Sequence, residues 1–467
     1  MVLQQMLQRK PVEPDSDTDE PQLERNLSLF QLTAFGIGAT VGTGIFIVLT
    51  QAVPVAGPAV IWSFIIASAV AGLTAVCYAE LASAVPISGS SYSYAYATLG
   101  ELVAMVIAGC LLLEYAVSSA AVAVGWSEYL NELFGSLLGI EIPRALANSP
   151  ETGGLINLPA VLLVGMCAFL LVRGANESAR ANAIMVIIKL SVLVLFIMVG
   201  LQGWNSDNFA NFAPAGAAGV FSAAGIIFFS YVGLDAVSTA GDEVVNPRRN
   251  LPLAIILSLI TVTVVYVLVA IVAVAAQPMA DFEGQEAGLA AILTSVTGSQ
   301  WPGIILAAGA VISIFSVTLV TIYGQTRILY RISRDGLVPK IFHRVNPQTR
   351  TPVHNTIIVA TAVALLAGLL PIKFLAEMTS IGTLSAFLVV SIGVIVLRIK
   401  APSLPRGFKV PGYPVTPVLA IIGCVWIIKD LRSVTIYAFA VWTCVVLIWY
   451  FTYGIRHSRL RNATPNT

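Results

Sequence analysis

The sequence predicts an all-α, polytopic membrane protein with about twelve transmembrane helices. Three observations predict it. Of 467 residues, 57% are apolar and only 10% charged, against roughly 25% charged in soluble domains. The apolar residues gather into long runs separated by short polar stretches. The basic residues are distributed unequally between alternate loops. A soluble domain of this size could not cover so much apolar surface, whereas a bilayer removes it from water.

A helix needs roughly 20 apolar residues to cross the hydrocarbon core. Such runs fall near 27–51, 57–85, 99–131, 155–173, 180–203, 216–240, 251–276, 301–331, 354–371, 374–398, 413–429 and 433–455. With the N-terminus placed in the cytoplasm, only Arg144, Lys373, Lys429 and Arg432 of the 25 lysines and arginines face outward. Lys189 lies inside a run, and the rest face inward. The positive-inside rule therefore predicts an even number of spans with both ends cytoplasmic, in the plasma membrane. Residues 1–26, which include the acidic stretch Glu13 to Glu20, read as a disordered cytoplasmic tail, and 456–467 as a second tail.

Net charge is +1, so no basic field points to nucleic acid. The five cysteines, Cys77, Cys110, Cys167, Cys424 and Cys444, fall in apolar runs and read as reduced core residues. His343, His354 and His457 fall in basic loops or near the C-terminal tail and read as solvated, not as metal ligands. No cofactor is expected.

Two spans are interrupted. The first contains Gly36-Ile-Gly-Ala-Thr-Val-Gly-Thr-Gly44, with four glycines in nine residues, a poor way to hold a helix straight. The sixth contains Gly225-Ile-Ile-Phe-Phe-Ser-Tyr-Val-Gly-Leu-Asp235. These two helices occupy matching places if 27–203 and 216–398 are two five-helix repeats, with 413–455 as two additional helices. Interrupted helices at matching places of two repeats point to a binding site at the membrane midplane. Freed N–H and C=O groups there must face protein, substrate or water. Half-helix N-termini suit a carboxylate and freed carbonyls suit an ammonium, so one zwitterion satisfies both. Glycines that merely permit close helix packing are the alternative.

These residues resemble the amino acid–polyamine–organocation superfamily, and specifically the bacterial-type cationic amino acid transporter family. The resemblance runs from about Asn26 to Arg456. Besides Gly36 to Phe46 it rests on Tyr78-Ala-Glu-Leu-Ala-Ser83, Pro86-Ile-Ser-Gly-Ser-Ser-Tyr92, Asp235-Ala-Val-Ser-Thr239, Glu243-Val-Val-Asn-Pro-Arg248, Tyr323-Gly-Gln-Thr-Arg327 and Ser333-Arg-Asp-Gly-Leu-Val-Pro339. It implies a five-plus-five inverted repeat with two extra helices and transport by alternating access. It further implies that the substrate carboxylate meets backbone N–H groups at Thr43 and Gly44, with the Thr43 hydroxyl near. The amine would meet carbonyls at Thr40, Phe229, Ser230 and Val232, and Phe229 would stand beside the substrate as an aromatic gate.

Charged residues inside spans need a partner or a cavity. Lys189 sits in mid-helix. Burial eases its deprotonation, and the resemblance places it where sodium-coupled relatives hold their ion. It is therefore expected to carry the coupling proton and to touch the broken part of helix one. A structural lysine paired with Asp235 or a carbonyl is the alternative. Asp235 is expected either to pair with Lys189 or to cap the second half of helix six. Glu114 is expected near the pocket, facing a cationic side chain or bonded to helix eight. Thr321 is expected to leave room for a long side chain, which inclines the reading toward arginine, lysine or ornithine, with small neutral amino acids such as alanine alongside. Glu80 and Glu243 are expected to pair with Arg248 or the Arg327–Arg334 cluster as an inner gate, or to form plain surface pairs. Residues 86–100 read as either a re-entrant segment or an ordinary loop.

The sequence thus favours a proton-coupled amino acid symporter. An exchanger and a solute channel stay open, as does a small accessory membrane subunit. A sodium-coupled carrier is disfavoured by Lys189. No GxxxxGK[ST] loop for ATP is present, and no clustered ligands or nucleophile with a base marks an enzyme.

Overall fold

The computed structural model describes residues 27–84, 90–173, 179–239, 244–346 and 351–459, together with Met6 and Gln8. The proposed gate residue Glu243 and nearly all of the N-terminal tail lie outside the described residues.

Among the described residues the chain is helical, with one isolated parallel bridge between Leu27 and Val244. Helix α1 (Leu29–Thr40) starts at a capping box. Ser28 accepts from the Gln31 N–H, and Gln31 reaches back to the Ser28 N–H. After a two-residue break the span resumes as α2 (Thr43–Ala56). Gly57, at φ +63°, turns the chain toward α3 (Val60–Ala84). Then come α4 (Ser90–Thr98), α5 (Glu101–Leu138), α6 (Leu158–Val172) and α7 (Ala179–Gly200). The sixth span is α8 (Gly216–Phe228), a 3-10 turn at Phe229–Tyr231, and the short α9 (Ala236–Thr239). The remainder is α10 (Pro247–Ala276), α11 (Gly288–Thr297), α12 (Gln300–Arg334), α13 (Val353–Leu369), α14 (Ile372–Lys400), α15 (Val415–Lys429) and α16 (Ser433–Trp449), which continues as a π-turn through Gly454.

Among the described residues eight stretches are long and apolar enough to cross a membrane, and the first of them, Leu29–Ala84, contains two crossings joined at Gly57–Ala59. The expected fourth, ninth and eleventh spans are the shorter apolar helices α6, α13 and α15. The chain is therefore a multi-pass membrane protein with spans where the apolar runs place them. Helix α11 is an addition, since its ten residues did not register as a span. In the stretch expected as a re-entrant segment or a loop, residues 86–89 lie outside the described residues, and from Ser90 the chain forms α4, a buried helix.

The core is formed by α5, which packs against α12 and α14, and by α10, which packs against α3 and α1. Outer helices keep apolar faces uncovered. On α16, Val434, Tyr437, Val441, Val445 and Ile448 are all exposed at helical spacing, a stripe that suits lipid. Cys444 belongs to that exposed side, which corrects its reading as a core residue, while Cys77, Cys110, Cys167 and Cys424 are buried.

Candidate functional site

The site is built where two helices stop. Helix α1 ends because Val41 leaves helical geometry at ψ 85° and Gly42 adopts φ −123°, ψ −149°. No side chain caps the start of α2, so its first N–H groups stay open. In the sixth span, Val232 is extended and Gly233 sits at φ +98°. Glycine is required at the contact between the breaks. A Cβ on Gly44 would lie 2.7 Å from the Ser230 Cα, and one on Gly233 would lie 2.7 Å from the Ala39 carbonyl oxygen. The two breaks thus interlock at two points, and side chains are excluded from both.

The loosened carbonyls have identifiable partners. The Thr40 carbonyl accepts the Tyr266 hydroxyl at 3.0 Å from α10 and the Gly42 N–H at 2.9 Å. Two residues earlier, the buried Lys189 Nζ of α7 donates to the Gly38 carbonyl at 2.8 Å. Beyond the break, the Tyr129 hydroxyl of α5 donates to the Phe46 carbonyl at 2.8 Å. Thr43 donates to the Val122 carbonyl at 3.1 Å, and Gly125 gives α2 room to approach, since a Cβ there would meet the Thr43 methyl at 2.0 Å.

Around the breaks, Phe229 is nearly buried and Ser230 Oγ is buried without a hydrogen-bond partner. Thr321 of α12 accepts from Ser119 of α5 at 2.8 Å and donates to the Val317 carbonyl. The structure thus brings Thr40, Thr43, Gly44, Phe229, Ser230 and Val232 together, with Lys189 behind α1 and Thr321 across from it.

A second polar cluster lies toward α4. Asp235 directly precedes α9, and its Oδ2 accepts from Ser90 at 3.2 Å and Tyr115 at 3.4 Å, while among the described residues the buried Oδ1 has no side-chain partner and the backbone N–H groups of Asp235 and Ala236 lie against the carboxylate. The expected Asp235–Lys189 pair is therefore replaced by hydroxyl contacts, because the turn at Gly233 carries Asp235 to the α4 side of the break. Glu114 faces Thr383 and Gly382 of α14, the tenth span, not helix eight, and its Oε1 is also buried without a partner.

Glu80 differs from expectation more sharply. It pairs with neither Arg248 nor the Arg327–Arg334 cluster. Arg398 of α14 donates through Nε to Oε1 at 2.8 Å and through Nη2 to Oε2 at 2.6 Å. Arg406 Nε stands 3.3 Å away, and the Val410 N–H completes the set at 2.7 Å. The loop after α14 folds back over α3 and brings these partners in. Sequence reasoning also missed Tyr129, Tyr266, Ser90 and Tyr115. Single hydroxyl residues inside apolar runs gave no signal, although Ser90 and Tyr92 do stand in a serine- and tyrosine-rich stretch.

Two interrupted helices that meet inside a membrane bundle and present open peptide groups are the arrangement of a solute carrier. The chain belongs to the amino acid permease family, whose profile matches residues 27–458. It is 45% identical to a branched-chain amino acid permease of Bacillus subtilis, over 94% of this chain and 95% of that one. It is 40% identical to a methylthioribose transporter of the same organism, over 97% and 99%. It is 36% identical to a vacuolar cationic amino acid transporter of Arabidopsis thaliana, over 82% of this chain and 64% of that longer protein. These relatives are transporters, as the fold and site lead one to expect.

Proposed function

We propose that the protein imports L-amino acids across the plasma membrane by proton-coupled symport, with both termini cytoplasmic. In this reading 27–203 and 216–398 are two inverted repeats, and residues 413–455 flank them. The N–H groups of Thr43 and Gly44 take the carboxylate, with the α2 dipole behind them. Carbonyls at Thr40, Phe229, Ser230 and Val232 take the ammonium, and Phe229 closes over it.

One observation carries the coupling. A lysine buried in mid-helix donates to a carbonyl in the last turn before the break in helix one. When protonated, Lys189 ties α7 to α1. When neutral it loses the charge-assisted part of that bond, so the packing of the cradle depends on its proton. The ammonium form at that place also repels sodium. Proteoliposome uptake under an inward pH gradient, with and without sodium, tests the reading. Lys189→Ala is expected to bind substrate and to lose gradient-driven uptake. Uptake that needs sodium and ignores pH sinks the proposal.

For the side chain, the branched-chain permease at 45% identity supports a neutral aliphatic substrate. A second reading, cationic amino acids, is favoured by the unpartnered Glu114 oxygen, which a guanidinium or ammonium would satisfy. A binding screen of the twenty amino acids on purified protein separates the two.

A further inference from the structure

Helix α4 has two faces with different partners. Residues four apart share a helix face, so Ser90 and Tyr94 lie on one side and Tyr92 and Tyr96 on the other. On the first face, the Ser90 hydroxyl donates to Asp235 Oδ2 and shares a short hydrogen bond with the Tyr78 hydroxyl. The Tyr94 ring stands edge-on to Tyr78 at 5.5 Å. On the second face, Tyr92 donates to Asp335 Oδ2 at 2.8 Å, and Tyr96 donates to Glu101 Oε2 at 2.8 Å. Asp335 closes α12. Glu101 opens α5 and also accepts from Tyr450 and Ser458 near the end of the chain. The same nine-residue helix therefore touches the residue just after the helix-six break and the end of α12, and through Glu101 it reaches the segment after α16, on the side proposed as cytoplasmic.

Ser90 itself is held in the left-handed region at φ +55° and is fully buried. A serine there is retained only when its surroundings over-determine it. Its hydroxyl bonds are the means. Asp235 draws on them in turn: among the described residues the Ser90 and Tyr115 hydroxyls on Oδ2 are its side-chain hydrogen-bond partners, alongside the backbone N–H groups of Asp235 and Ala236. Helix α4 wedges between α5, α14 and α9, beneath the site.

We infer that Ser90 is a positioning residue for transport: it orients Asp235 while α4 seals the inner mouth, and the Ser90–Asp235 contact must part for substrate to leave inward. This rests on the transporter reading above.

Full-length protein in proteoliposomes tests it, with the amino acid that the wild type binds and transports as labelled probe. Ser90→Ala removes the hydroxyl and keeps the strained backbone, Ser90→Gly removes both, and Ser90→Asn tolerates the left-handed backbone and keeps a donor. Loss of a hydrogen bond to a charged group predicts about a tenfold fall in uptake rate for Ser90→Ala and Ser90→Gly alike, with substrate Kd little changed and the rate recovered in Ser90→Asn. In an Asp235→Asn background, Ser90→Ala should have no further effect on counterflow exchange. Wild-type uptake in Ser90→Ala overturns the inference. So does full recovery in Ser90→Gly, which would assign the effect to the backbone, or a parallel fall of affinity, rate and thermal stability, which would make Ser90 merely structural. A wild type that moves no amino acid at all fails the transporter reading instead, and the inference goes with it.

Discussion

Glu80 and Glu114 are both buried glutamates on long spans, and they are treated in opposite ways. Every oxygen of Glu80 is engaged by Arg398, Arg406 or the Val410 N–H. Glu114 faces a threonine and leaves Oε1 empty-handed. Both endure the same desolvation, so the difference lies in what is permanent. A saturated carboxylate fastens the loop after α14 to α3. An unsaturated one leaves an acceptor for a further partner, as the proposed cationic-substrate reading requires.

The largest effect expected from this contrast is on stability. Glu80→Ala leaves Arg398 and Arg406 without their anion, which costs about 3–5 kcal/mol when a buried pair is broken. Thermal unfolding in detergent should show it, with the ranking of bound amino acids unchanged in any protein that still folds. Next comes Gly44→Ala, where the new methyl meets Ser230 backbone at 2.7 Å. Overpacking of this kind costs about 1–3 kcal/mol, and here it should also abolish substrate binding in a thermal-shift assay. Glu114→Gln keeps the shape and is expected to change stability by less than about 1 kcal/mol while altering transport. Equal destabilisation by Glu114→Gln and Glu80→Gln would break the comparison.

The smallest effect lies at the loop after α12. Burial, with Arg459, Lys340 and Arg334 nearby, pushes the His343 imidazole below its usual value, and its Nδ1 meets Ser333 Oγ at 2.7 Å. A depressed value means that the fold favours the neutral ring. That contribution is present above the unfolded value and fades as pH falls through the folded one. His343→Gln should flatten the acid side of the stability–pH curve slightly, measurable by thermal unfolding between neutral and mildly acidic pH.

What was legible in the sequence follows from what is local. The breaks could be placed because glycine density is a property of a few adjacent residues, and the chain does part at Val41–Gly42 inside the run read as Gly36–Gly44. The spans could be placed because hydropathy is likewise local. Glu80 was assigned to the wrong arginines because its partner Arg398 lies 318 residues away, and only the fold brings α14 against α3. Glu114 turned out to face the tenth span, not the eighth, for the same reason: helix neighbours in space are not written in the order of spans. Tyr129 and Tyr266 looked like ordinary aromatic filler, since nothing nearby shows that their hydroxyls reach into helix one.

Those two tyrosines have a consequence for motion. The half of helix one before the break is moored to α10 through Tyr266 and to α7 through Lys189. The half after it is moored to α5 through Tyr129 and Thr43. The halves therefore travel with different neighbours, and any displacement of α5 against α7 and α10 is concentrated at Val41 and Gly42. In the proposed function the seat of the cargo is thus also the joint of the machine, and whatever sits there feels the stroke directly.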